Sequence, residues 1–181
     1  MNGLMMPYPL TTAAILRRAE TLHGHKEIVS RLCDKSFHRY TYHDAVCRAK
    51  KLAVALLNQG IQPGDRVATL CWNHYQHLEA YLGVTTCGAV IHTLNPRLHA
   101  DDLAYIVNDA GDKFLLVDAA LLPLLDTFRD RVKLESVIVI GQDGEVPKGM
   151  VNYEQLLADA HHEKFAYPNI EENQAAAMCY T

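Results

Sequence analysis

RVATLCWNHYQHLEAYLGVTTCGAVIHT, residues 66–93, is the stretch whose reading decides the fold. Its two ends, RVATLC (66–71) and GAVIHT (88–93), are nearly continuous apolar runs too short for helices, so they read as buried strands. Between them, a run from about His74 to Thr86 has helical length and spacing. The alternation continues downstream. A helix is expected at about 100–110, with Asp101 and Asp102 in its first turn where the helix dipole favours acids. The apolar run KFLLVD (113–118), a helix at about 119–130 and the strand SVIVI (136–140) follow. Repeated βα units with apolar strands imply an α/β fold, a parallel sheet flanked by helices on both faces. The order of the strands is left open by the pattern.

Upstream, residues 11–23 read as a helix with Thr11 or Thr12 as its cap and Ile15, Leu16, Ala19 and Leu22 as its apolar stripe. KEIVSRL (26–32) and FHRYTY (37–42), joined by CDKS, form a short β-hairpin. Thr41 with Asp44 is a capping box opening a helix to about Gln59, whose stripe is Val46, Ala49, Leu52, Ala53, Leu56 and Leu57. Downstream come the loop GQDGEVPKGM (141–150), a short helix at 153–160, a polar linker and the beginning of a strand in QAAAMCYT (174–181).

Composition excludes several classes. With 49% hydrophobic residues, 10 Gly and 7 Pro in 181 residues, the chain is neither disordered nor collagen-like. A compact chain of this mass exposes about 8,800 Å² and buries roughly 70% of its unfolded surface. Net charge is -4 and no basic run is present, which argues against nucleic acid as a partner. Arg48, Lys50 and Lys51 read as the solvated face of a helix. Five widely spaced cysteines without a CxxC pair read as free, mostly buried thiols in a reducing compartment. The first residues lack a secretory pattern and no stretch approaches the ~18 apolar residues of a membrane span, so a cytoplasmic location is expected.

The residues alone name no catalytic group and no metal set. No G-x-G-x-x-G precedes Asp118, which reads as a helix cap or turn residue. The loop from Gly141 to Gly149, with Lys148, lacks the Walker spacing. His74 and His77, with Glu79 nearby, could share a helical face as metal ligands, but a structural role is favoured without a third ligand. His161 and His162 fall at a helix end that suits their charge. HTLNPRL (92–98) lies where a strand ends, the edge at which open α/β sheets bind ligands, although Asn95-Pro96 is first of all a turn.

The end of the chain, ENQAAAMCYT (172–181), resembles the approach to the phosphate-binding loop of the adenylate-forming superfamily, where a strand leads into S-G-T-T-G-x-P-K-G. HRYTYHDAVCRAKKLAVALLNQGIQPGDRVATL and WNHYQHLEAYLGVTTCGAVIHTLNPRL resemble earlier segments of that family in order and spacing. Their wording, with DDLAYIVNDAGDKFLLVD, is similar to the medium- and long-chain fatty acyl-CoA ligase branch.

The resemblance implies that residues 1–181 are the N-terminal portion of the AMP-binding domain, an incomplete part of a large N-terminal domain truncated at the start of the phosphate loop. It implies a parent enzyme that joins a fatty acid to coenzyme A through an acyl-adenylate, using ATP and Mg. Thr181 is implied as the first phosphate-loop residue, no catalytic residue and no metal ligand carry over, and homodimer contacts are implied for this region. Two other readings stand beside it: a free-standing module binding a nucleotide or acyl group near Asn95, and a dimerisation or structural unit.

Overall fold

The computed structural model describes residues 3–4, 8–141, 144–163 and 165–180. Among these residues, eight strands and six α-helices occur in the order α1 (Thr12–His23), β1 (Glu27–Arg31), β2 (Phe37–Thr41), α2 (Tyr42–Asn58), β3 (Arg66–Leu70), α3 (Tyr75–Thr86), β4 (Val90–Thr93), α4 (Ala100–Ala110), β5 (Asp112–Asp118), α5 (Leu122–Asp126), β6 (Ser136–Ile140), β7 (Val151–Asn152), α6 (Tyr153–Ala158) and β8 (Ala177–Met178). β1 and β2 form a separate antiparallel hairpin. The other six strands make one sheet in the order β7-β6-β5-β3-β4-β8, and each pairing in it is parallel.

Strand alternation divides the core into two layers. Phe114, Leu116, Ile138 and Ile140 face Leu52, Leu56, Val84 and Tyr153 on one side. Leu115, Val117, Val137 and Val139 face Leu103, Val107, Leu125 and Phe128 on the other. The continuously apolar strands are thus buried on both faces, as a parallel sheet requires.

Local signals set the element ends. Thr41 Oγ1 accepts from Asp44 N–H, while the Asp44 carboxylate accepts from Thr41 N–H at 2.9 Å, so the capping box is complete. Gly111 ends α4 in the left-handed conformation at φ 63°. Arg66 fastens that turn by donating to the carbonyls of Ala110 and Gly111 at 2.7 and 3.0 Å.

Several expectations are corrected. The helix at 119–130 is a 3-10 turn, the five-residue α5 and a second 3-10 turn; Pro123 has no N–H to donate and fits only the first turn of α5. Thr11 precedes α1 but its side chain makes no capping bond. On α1, Ile15 and Leu22 are exposed and the buried residues are Ala13 and Leu16; Leu57 of α2 is likewise exposed. α6 ends at Ala158, so His161 and His162 lie beyond its last turn. Of the five free cysteines, Cys71 and Cys87 are buried, Cys47 is half-buried and Cys33 and Cys179 are exposed. Accessible surface is 10473 Å², about a fifth above the compact-chain expectation.

Arg48 departs most from expectation. It faces inward, donating to Glu79 at 2.7 Å and in bidentate fashion to Glu154 at 2.8 and 2.9 Å. Glu79 is fully buried and also accepts from the Tyr153 hydroxyl at 2.8 Å. Burial raises the Glu79 pKa in spite of Arg48 and Tyr153, which both favour the carboxylate.

Two substitutions test this packing. A Cβ on Gly83 would sit 2.9 Å from the Ala49 carbonyl oxygen and from Leu52 Cδ2, so Gly83→Ala is expected to lower urea-unfolding stability by about 1–3 kcal/mol. Arg48→Met strands the Glu79 carboxylate and is expected to cost about 3–5 kcal/mol at pH 8. Glu79 already titrates above its ordinary 4.5, and losing Arg48 raises it further. The folded state therefore takes up a proton as pH falls through that raised value, and the Arg48→Met deficit should shrink toward pH 5. A deficit independent of pH would show that Glu79 is not the stranded charge.

Candidate functional site

β4 lies on one side of β3 and β5 on the other, so the chain reverses its direction of winding at β3. The connections that leave β3 and β5 run to opposite faces of the sheet, at the edge where open α/β sheets bind ligands. Asp118, the last residue of β5, closes the gap. Its carboxylate accepts from Trp72 N–H and from His74 Nε2, each at 2.6 Å. His74 caps α3 through Nδ1, which accepts from His77 N–H at 3.3 Å. Nδ1 is therefore the acceptor and Nε2 carries the proton given to Asp118. Asp118 is thus neither a side-chain helix cap nor a simple turn residue: it joins the end of β5 to the loop after β3.

His77 turns inward, with Nε2 3.0 Å from Thr69 Oγ1. Burial, then the neighbouring His74, lowers its pKa and keeps the imidazole neutral at pH 7. Glu79 serves Arg48. The three residues considered as a helical metal group therefore have three separate partners.

The opening lies on the β4 side. An open cleft of about 290 Å³ is lined by Trp72, Asn73, His77, Tyr81, Thr93 and Asn95, among others. Asn95 Oδ1 accepts from Arg97 N–H at 3.0 Å, making the turn expected of Asn-Pro. A second cleft, of about 400 Å³, shares Asn73, His77 and Tyr81 and continues to Val29 on the hairpin. The polarity of α3 is inverted along these clefts. Gln76, His77 and Glu79 are buried, whereas Leu78 and Tyr81 are about two-fifths exposed at 37% and 40%. Trp72, the chain's single tryptophan, stands at the mouth, 41% exposed.

β8 carries the chain to the same edge, parallel to β4. Tyr180 beyond it donates to Asp109 at 2.6 Å, and this bond pushes its pKa up to about 12. Thr181, the expected phosphate-loop residue, lies outside the described residues. Beneath Tyr180, His92 Nδ1 lies 2.8 Å from Asp112, both side chains fully buried. Sequence reading missed this pair, since nothing in GAVIHT marks its histidine as different from an exposed one. No described helix is long and apolar enough to cross a membrane.

Among the described residues, the cluster with potential metal-ligand geometry is Glu20, His43 and Cys47 on α1 and α2. Its thiol and imidazole do not suit Mg²⁺, which takes oxygen ligands.

A family model described as AMP-binding enzyme matches residues 16–181. The chain is 43% identical over 178 residues to the long-chain-fatty-acid–CoA ligase of Thermus thermophilus, covering 98% of this chain and 32% of that protein. It is 36% identical to the 3-methylmercaptopropionyl-CoA ligase of Ruegeria lacuscaerulensis, covering 100% and 34%. Among solved structures, the anthranilate CoA ligase AuaEII in complex with anthranoyl-AMP superposes with a TM-score of 0.83 at 20% identity, covering 98% of this chain and 33% of that one. The chain spans about a third of the length of the curated relatives it matches.

Asp118→Ala leaves the Trp72 amide and His74 without their acceptor. It should cost about 2–3 kcal/mol in urea unfolding and shift Trp72 emission to longer wavelength as the loop loosens. Unchanged emission would mean that Asp118 does not position this loop.

Proposed function

Because the chain belongs to the AMP-binding enzyme family, we propose that it is the N-terminal portion of an AMP-forming fatty acyl-CoA ligase, running to the start of the phosphate-binding loop at Thr181. The observation that carries the reading is the 43% identity to a long-chain-fatty-acid–CoA ligase over nearly the whole chain. Its parent would activate a fatty acid as the acyl-adenylate with ATP and Mg²⁺, then transfer the acyl group to coenzyme A. Cytoplasmic residence and homodimer formation belong to the same reading.

Mg²⁺ bound to ATP supplies charge neutralisation at the polyphosphate when present. This chain's contribution is architectural. The βα repeats bring the ends of β3, β4 and β8 to one edge, and Asp118 and His74 hold the β3 loop there. Backbone amides and small hydroxyls of a loop following β8 would meet phosphate oxygens at that edge.

On this reading the 181-residue chain makes no acyl-adenylate by itself. Incubated with ATP, Mg²⁺, labelled pyrophosphate and saturated fatty acids of medium and long chain, it should show no exchange above the protein-free blank. Sequencing the gene beyond the Thr181 codon should give S-G-T-T-G. Robust exchange by the 181-residue chain, or a stop codon at that point, would overturn the assignment as a partial ligase.

A further inference from the structure

We propose that Glu20, His43 and Cys47 bind a divalent transition-metal ion of the zinc class, which clips α1 to α2. The inference does not depend on the ligase reading. His43 and Cys47 stand one turn apart on α2, at the i and i+4 spacing that puts side chains on one face, and Glu20 reaches them from α1. One potential ligand atom from each lies within 4.8 Å of the other two.

The separation of His43 Nε2 and Cys47 Sγ is 3.7 Å. A tetrahedral zinc ion, about 2.3 Å from sulfur and about 2.0–2.1 Å from nitrogen, holds those atoms about 3.6 Å apart. The helix already presents two donors at the edge length of the coordination polyhedron. Sulfur, nitrogen and carboxylate oxygen together favour Zn²⁺, Co²⁺, Ni²⁺ or Cu²⁺ over Mg²⁺ and Ca²⁺.

The surroundings add a second observation. The Tyr167 hydroxyl is buried without a hydrogen-bond partner among the described residues. Its ring lies 5.9 Å from Lys50 Nζ and 5.6 Å from the Arg17 guanidinium carbon, over the seam of α1 and α2. Lys50 donates to both Glu20 oxygens at 2.9 and 3.0 Å. Such an outer partner orients a metal-binding carboxylate, although the ammonium also repels the ion and limits affinity.

The benefit falls on the docking of α1, whose buried residues are Ala13 and Leu16. An ion bound only when the two helices are together stabilises their docking by mass action.

Co²⁺ titration of the chain under phosphine reductant tests the site. One equivalent should produce a thiolate-to-cobalt band in the near ultraviolet, displaced by Zn²⁺. The band should vanish in Cys47→Ser, require at least tenfold more Co²⁺ in His43→Ala and Glu20→Gln, and persist in Cys33→Ser and Cys179→Ser. One equivalent of Zn²⁺ should raise the melting temperature of the unsubstituted chain but not of His43→Ala, whose exposed side chain can be removed without loss of fold. Absence of a band at saturating Co²⁺, or a band that survives Cys47→Ser, would overturn the proposal.

Discussion

A parallel strand can be followed by another in the same sheet only if the chain returns across one face. This constraint organises the molecule. Each return covers apolar strand surface, so the sheet acquires α3 and α6 on one side, where α2 joins them from the hairpin, and α4 and α5 on the other. It also gathers the strand ends of like direction along one edge, whatever lies between them in sequence. With β4 and β5 on opposite sides of β3, the edge must split. The β3–β5 side is held by the Asp118 carboxylate, and the β3–β4 side is left open.

Polar groups inside the two layers serve placement more than net stability. For Glu79 the competing effects can be ranked. Arg48 and Tyr153 both favour the carboxylate, yet its pKa is raised, so loss of hydration outweighs them. A pair in that balance is weak evidence for added stability. Its geometry nonetheless links three helices, since Arg48 lies on α2, Glu79 on α3, and Tyr153 and Glu154 on α6. Hydrophobic contact alone would tolerate sliding among those helices, whereas a displaced Arg48 would leave a buried charge without a partner. His92 and Asp112 make the same demand across β3.

The sheet was legible in the sequence because burial on both faces removes the need for polar alternation. KFLLVD and SVIVI could hardly be anything else at their length, and the Thr41–Asp44 box announced the start of α2. Surface helices were less legible. Ile15, Leu22 and Leu57 fit helical spacing, but spacing gives a direction around the axis and not how far a neighbour extends to cover it. The site was least legible of all. α3 buries its Gln, His and Glu beside Ala80 and Val84 and leaves Leu78 and Tyr81 part-exposed, so a reading that sends only apolar residues inward misses the polar members of its buried face. Arg48 was misplaced for the same reason: its partner's burial is a tertiary fact, 31 residues away in sequence.

The same mixing of polar and apolar groups shapes the cleft beside Asn95. Small-molecule sites usually enclose about 300–1,000 Å³ and bury most of the ligand's surface. The cleft beside Asn95 is near the lower limit at about 290 Å³ and is open to solvent. Trp72 and Tyr81 stand at its mouth with two-fifths of their surface uncovered, so a ligand resting there keeps part of its surface in water and gives up some of the apolar burial on which small-ligand affinity rests. The polar stitches nevertheless fix the lining firmly, through Asp118, His74 and the His77–Thr69 contact. The edge is therefore rigidly placed without being enclosed.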